Sequence, residues 1–391
     1  MRFLFVIIAL VFPQPLWAAE SVDFSKQQLT ANYYCDGINY GDFNRDGKVD
    51  VVAGPFWYEG PHFKTQHEFY PAKALQPEPS PSNSMYSFVE DFNGDGWDDI
   101  LVLGRVHKHA AYWYENPKGK DTLWKQHYVF ERIRGESPAL VDISGDGRPE
   151  IICHWNNRWG WVAPDWGQPT KPWSFRAISE AGDWNEFYHG EGVGDVNGDG
   201  RSDLIINHGW FEQPATDQPL WTFHAFQFAE RGGAQMFADD VDGDGDNDII
   251  TSLNGHGWGL AWFEQTTVDG EITFQQHDIM GTREEEAKYG VAFSQPHALD
   301  LADIDGDGLK DILCGKRMWA HGPQGDIEPG AAPVLYWFQC TRRGRDVRFV
   351  PHRIDNRSGV GVQVIAADVT GDGRPDILTA SKLGTFVFRR D

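Results

Sequence analysis

Seven short apolar runs punctuate the chain: DVV at 50–52, DIL at 99–101, EII at 150–152, DLI at 203–205, DII at 248–250, and DIL at both 311–313 and 376–378. Their aliphatic, partly β-branched content predicts a strand at each. Each run closes an acidic string with glycine at its sixth position: DFNRDGKVD from Asp42, DFNGDGWDD from Asp91, DISGDGRPE from Asp142, DVNGDGRSD from Asp195, DVDGDGDND from Asp240, DIDGDGLKD from Asp303 and DVTGDGRPD from Asp368. Successive starts lie 45–65 residues apart. Aromatic runs recur in phase, as in AYWYEN (111–116), LAWFEQ (260–265) and VLYWFQ (334–339). Amphipathic runs with a central histidine follow them: WKQHYV (124–129), WTFHAF (221–226), FQQHDI (274–279) and FVPHRI (349–354). Four strands per unit at this spacing predict propeller blades. Strand A precedes the acidic string, B follows it, C is aromatic and D amphipathic. The last unit stops at TFVFRRD, a C strand, while DFSKQQLT (23–30) reads as a D strand with no unit of its own. The expectation is an all-β, seven-bladed propeller of four-stranded blades over 20–391, closed by the N-terminal strand completing the last blade and so leaving no open edge.

The start, MRFLFVIIALVFPQPLWAAE, has one positive charge at Arg2, then an apolar stretch and small residues at Ala18 and Ala19. It reads as a signal peptide over 1–19, too short to span a bilayer, and predicts a secreted or periplasmic protein with no transmembrane segment. A formal net charge of −24 argues against a nucleic-acid partner. Four cysteines in an exported chain invite disulfides, but Cys153 and Cys314 occupy the same position in different repeats, so buried free thiols are expected. A monomer is expected.

Oxygen side chains at positions 1, 3, 5 and 9 of each string, with a turn-forming glycine at 6, follow the logic of a calcium loop, here set in a β-hairpin. The expected ligands are Asp42, Asn44, Asp46 and Asp50; Asp91, Asn93, Asp95 and Asp99; Asp142, Ser144, Asp146 and Glu150; Asp195, Asn197, Asp199 and Asp203; Asp240, Asp242, Asp244 and Asp248; Asp303, Asp305, Asp307 and Asp311; and Asp368, Thr370, Asp372 and Asp376. Up to seven Ca²⁺ ions are predicted, and the strings from Asp142 and Asp368 are the weakest. The bland alternative is an acidic turn that uses Asp and Gly for their backbone conformation alone.

The D-x-[DN]-G-D-G-x-x-D strings resemble the FG-GAP/VCBS repeats of integrin-α-type propellers. With the W-x-x-H-x-[IV] strands and GKRMWAHGPQGD (315–326), the mature chain is similar to secreted bacterial FG-GAP-like proteins of planctomycetes and their relatives. The resemblance implies the propeller and calcium. Similar propellers include sugar-acting enzymes, among them aldos-2-ulose dehydratase and ulvan-type lyases, and others that only bind partners, so the fold does not choose an activity.

Chemistry is expected on the face opposite the calcium loops. His67, His127, His224, His277 and His352 share one D-strand position and read as structural. Six residues before the loop starts stand Asp36, Glu136, His189 and His297; five before stand Tyr86, Ser137, Gln235 and Gln363. These predict a ring at one channel level, either an acid–base set or a further metal site. The B–C connectors add His154, His208, His256, Lys316, Arg317, His321 and Lys382. The catalytic candidates are His189 as base with Tyr188 or His297 as partner, Arg317 or Lys316 to neutralise an enolate, and Glu136; the candidate ligand-binding residues are Asp36, Tyr86, His154, His208, Gln235, His256, His321, Gln363 and Lys382. The expected function is binding or transforming carbohydrate, as a lyase or dehydratase; the alternative is a non-catalytic module for a glycan or protein.

Overall fold

The computed structural model describes residues 22–78, 82–104, 110–184 and 187–391; the signal-peptide reading of 1–19 lies outside them. Seven four-stranded antiparallel sheets make up the structure. Blade 1 comprises Asn39–Gly41, Asp50–Ala53, Phe56–Tyr58 and Gln66–Glu68, and blade 2 comprises Tyr86–Glu90, Asp99–Leu103, Ala111–Glu115 and Lys125–Phe130. Blade 3 comprises Leu140–Val141, Glu150–Trp155, Arg158–Ala163 and Ser174–Ala177, and blade 4 Glu191–Gly194, Asp203–Ile206, Gly209–Glu212 and Thr222–Ala225. Blade 5 comprises Phe237–Asp239, Asp248–Ser252, Leu260–Val268 and Glu271–Met280, and blade 6 Pro296–Ala302, Asp311–Lys316, Leu335–Arg343 and Asp346–Asp355. Blade 7 takes strands A to C from Val364–Ala367, Asp376–Ser381 and Gly384–Arg390. Its D strand is Phe24–Thr30, paired from Phe24↔Arg390 to Thr30↔Thr385. The seven-bladed architecture and its closure are as the repeats predict.

The core lies between blades. Buried apolar side chains fall into seven clusters, and each joins two neighbouring blades. One unites Ile38, Val51 and Tyr58 of blade 1 with Leu378 and Val387 of blade 7, so the ring closes through packing as well as through the D strand. All four cysteines are buried and free, as their repeat positions implied.

Within blades the D-strand histidines have one repeated role. His67, His127, His224, His277 and His352 stand opposite Trp57, Trp113, Trp210, Trp262 and Trp337 of strand C. Each imidazole stacks on its indole with ring centroids 4.1–4.5 Å apart. Four of them hydrogen-bond a glutamate two residues beyond the tryptophan, in strand C or just after it, at 2.7–2.8 Å; His352 meets Gln339 at 3.3 Å. These histidines are structural and act mainly inside a blade, although His67 Nδ1 also lies 3.6 Å from Asp121 of the next blade.

Candidate functional site

Strand A of each blade lines the channel, so residues just before these strands or at their start converge at one mouth. There the structure brings together Glu136, His189 and His297, joined by His256 from the B–C connector of blade 5. One ligating atom from each of the four lies within 4.8 Å of the others. His189 Nε2 is 3.0 Å from His256 Nε2 and 3.4 Å from Glu136 Oε2; His297 Nε2 is 3.6 Å from the same carboxylate oxygen. Burial, then Arg317, pushes the His189 imidazole down to about 4; burial, then His189, pushes His256 to about 3; burial and Arg317 hold His297 well below its usual value. All three rings are neutral near pH 7.

Behind this group is a buried ionic layer. Arg317 Nη1 donates to His297 Nε2 at 3.0 Å, and its Nη2 lies 3.6 Å from Asp36 Oδ1. Asp36 Oδ2 accepts hydrogen bonds from the Tyr33 hydroxyl and from the Ser82 amide and hydroxyl, at 2.8–2.9 Å. Burial pulls the Asp36 carboxyl upward, but Lys382 and Arg317 outweigh it and hold the group below its ordinary value. Lys382 donates to Tyr33 Oη at 3.2 Å and Lys316 to Ser294 Oγ at 2.8 Å; burial lowers each ammonium to about 8. Asp36, Lys316, Arg317 and Lys382 are all buried, and each has at least one protein partner behind the histidine cluster.

A cavity of about 600 Å³ opens above the cluster. Its floor includes Glu136, His189 and His256, and its walls include Phe187, Tyr188, Asn207, His208, Arg231, Asn254 and His321. Asn207 Nδ2 donates to the Ala229 carbonyl at 3.0 Å, which turns Oδ1 toward His208 Nδ1 at 2.6 Å. His208 Nδ1 therefore carries the hydrogen, and Nε2 keeps its lone pair. Tyr188 Oη lies 2.8 Å from the same Nδ1, and burial raises the phenol so that it keeps its proton. Burial lowers the His208 imidazole. His321 Nδ1 pairs with Asp326 Oδ1 at 2.8 Å at the rim.

Other expected ligand contacts are committed elsewhere. Gln235 donates to the Val362 carbonyl and accepts from the Leu299 amide, both at 2.9 Å, tying blade 5 to blades 6 and 7. Gln363 accepts from the Ile38 and Ser87 amides at 3.2 and 2.9 Å, tying blade 7 to blades 1 and 2. Tyr86 is buried, and its hydroxyl donates to the Glu136 carbonyl. His154 is buried against Trp159 and Tyr188. In each case inter-blade packing points the side chain at backbone or core. Sequence reasoning passed over Ser82, Tyr33, Arg231 and Glu191. Glu191 is fully buried, its carboxyl pushed up by burial, and accepts from the Ser137 amide at 3.2 Å. Only Ser82 had a visible signal, the Pro- and Ser-rich connector at 71–85 that carries it.

On the opposite face the seven acidic loops share one hydrogen-bond scheme. The position-6 glycine, at φ of +80° to +98°, donates its amide to the position-1 carboxylate at 2.7–3.2 Å in every loop. A side chain there would strain this left-handed backbone. The family model for the FG-GAP-like repeat matches residues 91–153 and 240–314. The chain carries FG-GAP-like repeats. No curated protein matches the sequence. Solved structures similar to it include an Agrocybe aegerita lectin described as recognising non-reducing terminal N-acetylglucosamine (17% identity, TM-score 0.49, 90% of this chain and 84% of that one). Others are the V. cholerae biofilm matrix protein Bap1 (11%, 0.47, 94% and 91%) and a Bacillus licheniformis rhamnogalacturonan lyase (12%, 0.43, 93% and 71%). Likenesses this distant say nothing about ligand or reaction.

The donor set of the FG-GAP-like loops fits calcium. Carboxylate oxygens of Asp142, Asp146 and Glu150, of Asp240, Asp242 and Asp248, and of Asp303, Asp305 and Asp311 approach within 4.8 Å of one another. Burial, with neighbouring carboxylates adding to it, pushes position 9 up to about 6 at Asp50, about 7 at Asp203 and Asp248, and about 8 at Asp99 and Asp311. A divalent cation would relieve this strain. Position 9 also holds backbone: Asp50, Asp203, Asp248, Asp311 and Asp376 accept the position-2 amide at 2.9–3.2 Å, and their other oxygen accepts an amide within strand C or just beyond it.

Proposed function

We propose that the protein is an exported propeller whose FG-GAP-like loops hold calcium and whose opposite face binds carbohydrate, acting on it as a lyase or dehydratase. In the loops, oxygens at positions 1, 3, 5 and 9 would hold the ions. When bound, calcium neutralises crowded carboxylates and pins strand A to strand B. The chain's own residues carry the chemistry in the cavity.

The observation that carries the reading is the Asn207–His208–Tyr188 arrangement. It places a neutral imidazole lone pair and a protonated phenol on one wall, with Arg231 and Asn254 available for a sugar carboxylate and hydroxyls. In the proposed step His208 Nε2 takes a proton from the carbon α to a carbonyl or carboxylate. A double bond forms to the β carbon, and the oxygen there leaves with the proton from Tyr188. Electron pairs and protons balance without an oxidant. His208 suits the base role better than His189, because the Nε2 of His189 faces His256 and Glu136 rather than open space.

The test is incubation of the purified protein with uronate-containing oligosaccharides and 2-keto sugars, followed by ultraviolet absorbance of an unsaturated product. Turnover is expected, lost in His208→Ala and Tyr188→Phe while ligand binding and melting are retained. Sugar binding without product from any substrate would leave a glycan-binding module; neither binding nor product overturns the reading.

A further inference from the structure

We propose that Glu136, His189, His256 and His297 form a centre for one borderline first-row divalent metal of the Zn²⁺ class, separate from the calcium loops. It goes beyond the proton-transfer reading and stands apart from it, since its readout needs no sugar.

The three imidazoles surround one point. Their ring centroids form a nearly equilateral triangle with sides of 4.7, 5.0 and 5.1 Å, and their planes cross at 76–89°. Imidazoles ligating through Nε2 at about 2.1 Å place their centroids about 3.2 Å from the ion, so adjacent ligands of a tetrahedral or octahedral site stand roughly 4.5–5.2 Å apart by centroid. Ligand atoms of a tetrahedral zinc site are separated by about 3.4 Å; the contacts here are 3.0, 3.4 and 3.6 Å. His189 Nε2 and His256 Nε2 face each other at 3.0 Å, so a shared hydrogen or a cation must stand between these two nitrogens. Each ring's Nδ1 is without a hydrogen-bond partner, so all three rings can turn Nε2 to one ion.

The surroundings suit the ion. Asp326 Oδ1 lies 3.9 Å from His256 Nδ1, on the side where a second-shell carboxylate orients a ligating histidine. Arg317 now donates to His297 Nε2, but its Nη2 lies 3.6 Å from Asp36 Oδ1, an acceptor to which the guanidinium turns when His297 ligates. Imidazole nitrogens select against calcium, which takes oxygen ligands, so the loops and the channel divide two metals between two faces. The side chain of His256 is 27% exposed while that of His297 is fully covered, so the ion enters from the cavity.

The test is titration of chelator-treated protein, returned to millimolar Ca²⁺, with Co²⁺. A visible d–d absorption saturating at one equivalent and displaced by Zn²⁺ is expected. His256→Ala and Glu136→Gln should weaken binding at least about tenfold, and His321→Ala should leave the stoichiometry unchanged. Absence of saturable Co²⁺ or Zn²⁺ binding by the unaltered protein overturns the proposal, whatever the variants do. So does a band that survives in His256→Ala and Glu136→Gln proteins with native tryptophan fluorescence; the group is then a proton-sharing cluster only.

Discussion

His127 shows what a repeated residue can reveal. It stacks on Trp113 with centroids 4.2 Å apart and hydrogen-bonds Glu115 at 2.8 Å. Replacing it with alanine should lower unfolding free energy by about 1–3 kcal/mol in urea titrations, without changing cobalt stoichiometry. Its structural role was readable because five histidines occupy equivalent positions. Glu136, His189 and His297 were readable in the opposite way: they share one distance from the loop start, yet no two are in the same blade. Gln235 and Gln363 share a register too, but which way an amide points depends on the neighbouring blades, which no single repeat encodes. Gln363→Leu would leave the Ile38 and Ser87 amides without this partner. A loss of about 2–3 kcal/mol in the same titration is expected.

At the scale of elements, strands were the legible part. Alternating and apolar runs, punctuated by loops of fixed length, define A, B and C in every blade, and the orphan strand at 23–30 pairs where its pattern required. Connectors were less legible, because their lengths vary and their side chains meet partners from distant sequence. Ser82 reaches Asp36 in this way, and Arg231 reaches the cavity from the connector before blade 5. The closing strand offers a direct test. A chain beginning at residue 31 lacks the partner of Gly384–Arg390 and exposes that strand as an edge. It should elute as larger species in size-exclusion chromatography, and a synthetic 22–30 peptide should reverse this. A monomeric, equally stable truncated chain would contradict closure by this strand.

For the whole molecule, seven inter-blade cores divide the stability of the ring, and seven acidic loops load one face with negative charge. If the loops hold calcium, excess chelator should lower Tm by at least about 5 °C, with recovery on adding Ca²⁺ but not K⁺; an unchanged melting curve would count against occupied loops. The ring also has a floor. Under the cavity lie Glu136, His189, His297, Arg317 and Asp36, all buried, with Gln235 bridging blade 5 to blade 7 and Gln363 bridging blade 7 to blade 2 across the channel. Whatever enters must therefore leave by the same door. A long polymer has no way to thread through the ring, so any sugar that reaches Tyr188 and His208 comes in and goes out past the rim residues Arg231 and His321.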